Sequence, residues 1–140
     1  GKKSVLEGVP KSLPALVKAT WIQDKVTGIG FECDTQDQLW AKVEEEIGEL
    51  HEEVKSGDKA KMEEEFGDVL FSMINYARWI GVNTEDALAR TNQKFINRFQ
   101  WMEAETEKDG KKIADIPYGC RYIRYHYEDF IGLFISHNFK

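Results

Sequence analysis

A chain of 140 residues, 41% of them hydrophobic, is long enough for one domain with its own core and gives no reason to expect two. Its net charge of −6 argues against general nucleic-acid binding, because no basic stripe is available to replace the counterions along a phosphate backbone. The longest apolar stretch, residues 69–80, is interrupted by polar side chains and falls short of the roughly 20 apolar residues of a membrane span, so we expect a soluble protein without a membrane partner.

The amino-terminal residues and the cysteines indicate the cellular compartment. The chain begins Gly1-Lys2-Lys3 and lacks the apolar core of a secretory signal. Cys33 and Cys120 have neither a metal-binding nor a redox spacing. We therefore expect a cytoplasmic protein with reduced thiols.

Four segments have helical periodicity and none shows the sustained alternation of a strand, so the predicted fold class is all-α. The first predicted helix covers residues 13–26, with Ser12 as its N-cap. The second begins at Thr35 or Gln36 and runs to residue 55, before the stop signal of residues 56–58.

The third predicted helix follows directly over residues 59–80 and ends at Gly81. The fourth starts after Thr84, whose hydroxyl can cap it, and extends to residue 108. Because the connections are short, we expect the helices to be antiparallel neighbours in a bundle of about four.

Acidic residues are concentrated on one edge of each of the two central helices. At about 100° per residue, each edge borders the apolar stripe of its helix. An antiparallel pair can therefore bring the two acidic edges face to face. The edges carry Glu46, Glu49 and Glu53 on the second helix, and Glu65, Asp68 and Ser72 on the third.

Two interpretations of these acidic edges are open. Charge runs are usually solvent-facing surfaces. A solvent-facing helix gains from alternating lysine and glutamate, however, whereas Glu45 and Glu49 place like charges four residues apart and repel. Pairs of carboxylates three residues apart, Glu46 with Glu49 and Glu65 with Asp68, suit Mg²⁺ or Mn²⁺ that also binds phosphate oxygens and water.

The third predicted helix is apolar on nearly all sides between residues 69 and 80. Such a helix has to be buried on most sides. A four-helix monomer of this length offers too little cover, so we expect a homodimer or a higher homo-oligomer.

Three motifs occur in order along the chain: Glu-Glu-x-x-Glu at residues 45–49, Glu-x-x-Asp at residues 65–68 and Lys-Phe-x-x-Arg-Phe at residues 94–99. In this order they resemble the MazG-type nucleoside triphosphate pyrophosphohydrolases. The resemblance extends over residues 4–116 and is to the carboxy-terminal type of catalytic domain, so we predict one domain over residues 1–116. The similar segments are residues 4–18, 26–31, 63–71 and 90–99.

The resemblance implies an all-α fold, an obligate dimer or larger assembly, and Mg²⁺-dependent hydrolysis of nucleoside triphosphates to the monophosphate and pyrophosphate, with Mn²⁺ as a substitute ion. Its catalytic carboxylates carry over to Glu45, Glu46, Glu49, Glu65 and Asp68. The last four of these would be the metal ligands, and Glu45 would orient water. Its nucleotide-contacting segments carry over to residues 42–46, 61–64 and 94–98, with Lys42, Lys61, Lys94 and Arg98 as phosphate partners and Glu45 as a further substrate contact.

The fourth predicted helix supports the same interpretation in part. Thr91, Lys94 and Arg98 follow one edge of its apolar stripe, and a basic edge suits a metal-bound triphosphate. Ordinary surface charge is the alternative. Asn92 lies within the stripe, where an amide needs partners, and is either a structural hydrogen-bonding residue or a substrate contact.

The chain departs from the family pattern at two places. Cys33 stands where the family usually carries a tryptophan. Residues 117–140 replace an acidic amphipathic helix, and we predict that they form a divergent carboxy-terminal tail.

Two alternative functions remain open. Related all-α pyrophosphohydrolases that act on dUTP or phosphoribosyl-ATP share this kind of bundle and metal site. A non-catalytic helical dimerisation module, acidic for solubility, is the alternative outside enzymes. Replacing Glu49 by Gln and Asp68 by Asn separates the two classes, because a catalytic site would lose Mg²⁺ binding and a structural surface would change only in stability.

Overall fold

The computed structural model describes residues 3–115, and within that range the chain is helical without any strand, which confirms the all-α prediction. The described residues belong to two compact units, one up to Ala87 and one from Leu88 onward. The elements are a 3-10 turn at Val5–Gly8, α1 (Ala15–Thr27), α2 (Gln36–Ser56), α3 (Lys59–Trp79), α4 (Thr84–Lys108) and a 3-10 turn at Ile113–Asp115. The predicted carboxy-terminal tail lies outside the described residues.

α1 begins later than predicted, at Ala15. Its N-cap is Pro14, which has extended backbone (φ −53°, ψ 145°) and makes no side-chain cap. Proline disfavours helical backbone in the residue before it, so the helix cannot include residue 13. The prediction of Ser12 as the N-cap was therefore wrong.

α2 begins where the sequence predicts. Thr35 and Gln38 form a capping box, in which the Gln38 backbone N–H donates to Thr35 Oγ1 (3.2 Å) and the Thr35 backbone N–H donates to Gln38 Oε1 (3.1 Å). The helix ends at Ser56, followed by Gly57 in left-handed conformation (φ 76°). Asp58 then caps α3 by accepting the Lys61 backbone N–H at 3.2 Å.

Because only two residues separate them, α2 and α3 fold back on each other as a helical hairpin and pack along their length. α1 also packs on α3. Gln23 Nε2 donates to the Phe71 carbonyl at 2.9 Å, and Arg78 Nε donates to Asp24 Oδ1 at 2.8 Å. The hairpin is thus the frame of the first unit.

α3 ends at Trp79, and Gly81 follows with a positive φ of 76°. The cap of α4 is one residue earlier than predicted, since Asn83 Oδ1 accepts the Asp86 backbone N–H at 3.0 Å and Thr84 is already helical. Asparagine and threonine are both favoured N-caps, so adjacent candidates are hard to separate by type alone.

The buried core of the first unit is small: Leu39, Val43, Ile74 and Ala77. Other apolar residues of the predicted stripes are 40–56% exposed, and this group contains Ile47, Val54, Phe66 and Met73. Periodicity placed them on the inner side of each helix, but the first unit leaves them about half exposed. No described helix has the length and apolar character to cross a membrane.

Candidate metal centre

The α2–α3 hairpin brings three carboxylates together. Glu46 and Glu49 lie one turn apart on α2, and Glu65 comes from α3. One oxygen from each of the three lies within 4.8 Å of the others. These are three of the four residues that the sequence suggests as metal ligands. The fourth, Asp68, lies one turn further along α3, is exposed and stands outside this group.

Two carboxylate oxygens of the cluster are buried without a partner. Glu46 is only 6% exposed, and its Oε2 has no hydrogen-bond partner among the described residues. Oε2 of Glu65 is likewise buried and has no hydrogen-bond partner among the described residues. Buried polar atoms are nearly always paired, because leaving one unpaired costs the free energy of its lost hydration. Three carboxylates this close together, two of which have a buried oxygen without a donor, fit a divalent cation such as Mg²⁺.

The electrostatics of Glu65 point the same way. Loss of hydration raises the pKa of its carboxyl, and the negative charges of Glu49, Asp68, Glu46 and Glu53 raise it further. The ionised form is therefore disfavoured here while no cation balances it. A bound divalent cation would reverse the balance and favour all of these carboxylates in the ionised form.

Lys42 supplies a positive charge that contacts the cluster. Its Nζ lies 2.7 Å from Glu46 Oε1 and 3.4 Å from Glu45 Oε2. The hydrogen bond to Glu46 is the main cause that raises the pKa of Lys42, and the bond to Glu45 adds to it. The sequence suggested Lys42 as a phosphate partner and missed this pairing, although its spacing of four residues from Glu46 is the signal for such a pair.

The remaining residues suggested as site residues lie on helix surfaces. Glu45 is exposed on α2, and Lys61 is exposed in the first turn of α3. Asn92 and Lys94 are exposed on α4, and Arg98 is half-buried on the same helix. The exposure of Asn92 removes the reason to expect a buried amide there. Ser72 is buried and its Oγ donates to the Val69 carbonyl at 2.8 Å, a structural role.

Comparison with known proteins gives the family of the chain. The MazG nucleotide pyrophosphohydrolase domain matches residues 34–102, a segment that contains the whole carboxylate cluster. The chain is 38% identical over 116 residues to the nucleoside triphosphate pyrophosphohydrolase/pyrophosphatase MazG of Thermotoga maritima, covering 83% of this chain and 44% of that protein. It is 43% identical over 115 residues to the nucleoside triphosphate pyrophosphohydrolase of Escherichia coli K12, covering 81% of this chain and 44% of that protein.

A shorter relative is matched over more of its own length. The uncharacterized protein YpjD of Bacillus subtilis is 37% identical over 82 residues, covering 50% of this chain and 74% of that protein. By contrast, the chain spans only 44% of each of the first two relatives. With the domain match and these identities, the chain belongs to the MazG nucleotide pyrophosphohydrolase family.

Proposed function

We propose that this chain hydrolyses nucleoside triphosphates to the monophosphate and pyrophosphate, with Mg²⁺ as the cofactor and Mn²⁺ as a substitute. The observation that carries the proposal is the cluster of Glu46, Glu49 and Glu65 across the α2–α3 hairpin, with its two unpartnered buried oxygens. The names of the Thermotoga maritima and Escherichia coli relatives support the reaction. A cytoplasmic location suits a reaction that needs nucleotides and Mg²⁺.

The acidic residues of the proposed centre divide into metal ligands and one residue that orients water. Glu46, Glu49 and Glu65 would hold the cation, with Asp68 as the fourth ligand. When bound, the cation would neutralise triphosphate charge and lower the pKa of a water molecule. Glu45, exposed and next to Glu46, would orient that water.

The positive side chains would bind phosphate. Lys42 and Lys61 lie on the same hairpin as the carboxylates. By family correspondence we also assign phosphate binding to Lys94 and Arg98 of α4. Asn92, exposed on the same helix, would be a further substrate contact. Lysine and arginine near the leaving group would stabilise the charge that develops on pyrophosphate.

We also propose that the chain acts as a homodimer or larger homo-oligomer. An open cavity of about 650 Å³ lies between α2 and α3, on a face of the hairpin with little polar surface. Val54, Phe66 and Leu70 line it and are 44–56% exposed. Contiguous exposed apolar surface of this kind is typical of a protein interface.

The test of the reaction is release of pyrophosphate from a panel of ribo- and deoxyribonucleoside triphosphates, with Mg²⁺ and with EDTA. Glu49→Gln should lower kcat by about 100-fold or more, the scale seen when a group that stabilises transition-state charge is removed. Glu52→Gln is the matched control, because Glu52 lies on the same helix, is 72% exposed in its side chain and pairs only with Lys55 among described residues.

The same panel separates the alternatives. Including dUTP and phosphoribosyl-ATP ranks the related substrates against the others. Turnover that is insensitive to EDTA and to Glu49→Gln would contradict the proposed centre. A folded protein that binds Mg²⁺ but turns over no nucleotide would be the non-catalytic module instead.

A further inference from the structure

The most buried carboxylate of the candidate metal centre is already paired with a positive charge of the same chain. Glu46 Oε1 accepts a hydrogen bond from Lys42 Nζ at 2.7 Å. The other oxygen, Oε2, is buried and has no partner among the described residues. A cation bound to either oxygen of Glu46 would therefore share this carboxylate with the Lys42 ammonium group.

The two side chains of this ion pair differ in how strongly their surroundings hold them. The Glu46 side chain is 8% exposed, whereas the Lys42 side chain is 53% exposed. In the Lys55–Glu52 pair of the same helix both side chains are mostly exposed, 62% and 72%. Because Glu46 is fixed by burial and Lys42 is flexible and solvated at its end, Lys42 is the partner that can leave. Glu45 Oε2, 3.4 Å from the same Nζ, offers it a second position.

An ammonium group and a divalent cation on the same carboxylate would repel each other strongly. We propose that Lys42 is an exchangeable counter-ion of Glu46, which occupies this ligand while the centre lacks a cation and is released when a divalent cation binds. The inference rests on the proposed function, since it takes Glu46 as a metal ligand. It adds that metal binding frees the ammonium group of Lys42 for phosphate.

The exchange has two consequences that a simple phosphate-binding lysine would not have. Without nucleotide, Lys42 competes with the metal and weakens its binding. With nucleotide, the phosphate accepts the released ammonium group, so nucleotide and metal each raise the affinity for the other through Lys42. By linkage, this coupling is the same in both directions.

The first measurement is Mn²⁺ binding at fixed pH without nucleotide, with free Mn²⁺ followed by electron paramagnetic resonance. Lys42→Met should bind Mn²⁺ about tenfold more tightly than the unaltered protein, since it loses a charge-assisted hydrogen bond that competes with the metal. The matched control is Lys61→Met. Lys61 lies four residues before Glu65 and forms no ion pair with a described residue, so its loss removes the same charge without removing a competitor.

The control should change Mn²⁺ affinity by no more than about twofold, the size of a weak surface charge effect. A gain in Lys42→Met no larger than in Lys61→Met overturns the exchange and leaves the proposed function intact. Absence of Mn²⁺ binding by the unaltered protein overturns the metal centre itself, and the exchange with it. If Lys42→Met is unfolded by circular dichroism, Lys42→Gln takes its place.

The second measurement follows the lysine directly. Saturation with Mg²⁺ should shift the εCH₂ nuclear magnetic resonance signal of Lys42 and leave that of Lys55 in place. A non-hydrolysable triphosphate analogue should raise Mn²⁺ affinity in the unaltered protein and raise it less in Lys42→Met. A Lys42 signal that does not respond to Mg²⁺ contradicts the exchange.

Discussion

Glu65 shows at the level of one residue that negative charge is unfavourable in the carboxylate cluster while no cation is bound. Its carboxyl is half-buried, one oxygen has no described partner, and Glu49, Asp68 and Glu46 surround it with negative charge. These causes raise its pKa above the ordinary value of 4.5. Without a cation, ionised Glu65 therefore destabilises the folded chain, which is the usual cost of a preformed anionic site.

Glu65→Gln should accordingly stabilise the metal-free protein near neutral pH. The pKa of Glu65 is higher in the folded than in the unfolded chain, so its favourable, protonated contribution is present below the unfolded pKa and is lost as pH rises through the folded pKa. The gain from the substitution should thus be largest near pH 7 and shrink towards about pH 4. Thermal unfolding in EDTA at both pH values measures it.

The control for this prediction is Glu64→Gln, an exposed neighbour that offers no oxygen to the cluster. Its effect on the free energy of unfolding should be small at both pH values. Excess Mg²⁺ should reverse the order, because a ligand that binds the folded state stabilises only the protein that retains the site. A Glu65→Gln protein that is less stable than the unaltered one in EDTA would contradict the electrostatic interpretation.

At the scale of elements, the two-residue junction between α2 and α3 sets the register of the carboxylates. Gly57 has a φ of 76°, and Asp58 caps the next helix. A side chain at position 57 would meet no atom within 4 Å, so any penalty there comes from backbone conformation alone. The hairpin, and with it the distance between Glu46 and Glu65, depends on this left-handed residue.

Gly57→Ala should therefore lower the free energy of unfolding by about 1–2 kcal/mol, the cost of left-handed backbone for an L-residue. Gly48→Ala is the matched control, because Gly48 lies inside α2 and its added methyl group also has open space. There, alanine should be neutral or stabilising by up to about 1 kcal/mol, since glycine is the poorer helix former. Urea denaturation of both variants measures their free energies of unfolding. Equal changes in the two variants would contradict a special role for the left-handed backbone at Gly57.

The helices could be predicted well from the sequence because their signals are local. The start of α2 at Thr35 and its stop at Gly57 depend on cap and stop residues within one turn. Where two local signals compete, the prediction shifted by a residue or two, as with Ser12 before Pro14 and with Thr84 beside Asn83.

The site was predictable only in part, for a related reason. Periodicity places Glu46, Glu49 and Glu65 on facing edges of two helices. It does not give the depth of Glu46 or show that Asp68 stands outside the group, because both depend on how closely the helices pack. The importance of the Lys42 salt bridge depends on the same depth, since buried Glu46 has lost the hydration that exposed Glu52 keeps.

At the scale of the whole molecule, the hairpin has more apolar surface than its own unit covers. Phe66 and Leu70 of α3 face the cavity that Leu50 and Val54 of α2 also line. Leu50 and Phe66 are direct neighbours in sequence of Glu49 and Glu65. The apolar face and the carboxylate cluster therefore lie on the same two helices. Burial of the apolar face in an interface would hold the carboxylate cluster in place.

Leu70→Asp should turn the proposed homo-oligomer into a monomer, because a carboxylate at this position would be buried without a partner in the proposed interface. Ile29→Asp is the control: Ile29 is 67% exposed, more than the 44% of Leu70, but lies in the loop after α1 and does not line the cavity. Sedimentation velocity should show a lower mass for Leu70→Asp only. The unaltered protein should also unfold at a temperature that rises with its concentration, and the monomeric variant should not.

Either of two results would refute this assembly. A monomeric unaltered protein would contradict self-association altogether, and an oligomeric Leu70→Asp would place the interface elsewhere. If the variant is monomeric, its Mg²⁺ affinity becomes informative, because Glu46, Glu49 and Glu65 all belong to one hairpin of one chain. Retained but weaker binding would mean that one chain supplies the ligands and that the partner's contribution is to hold α2 against α3.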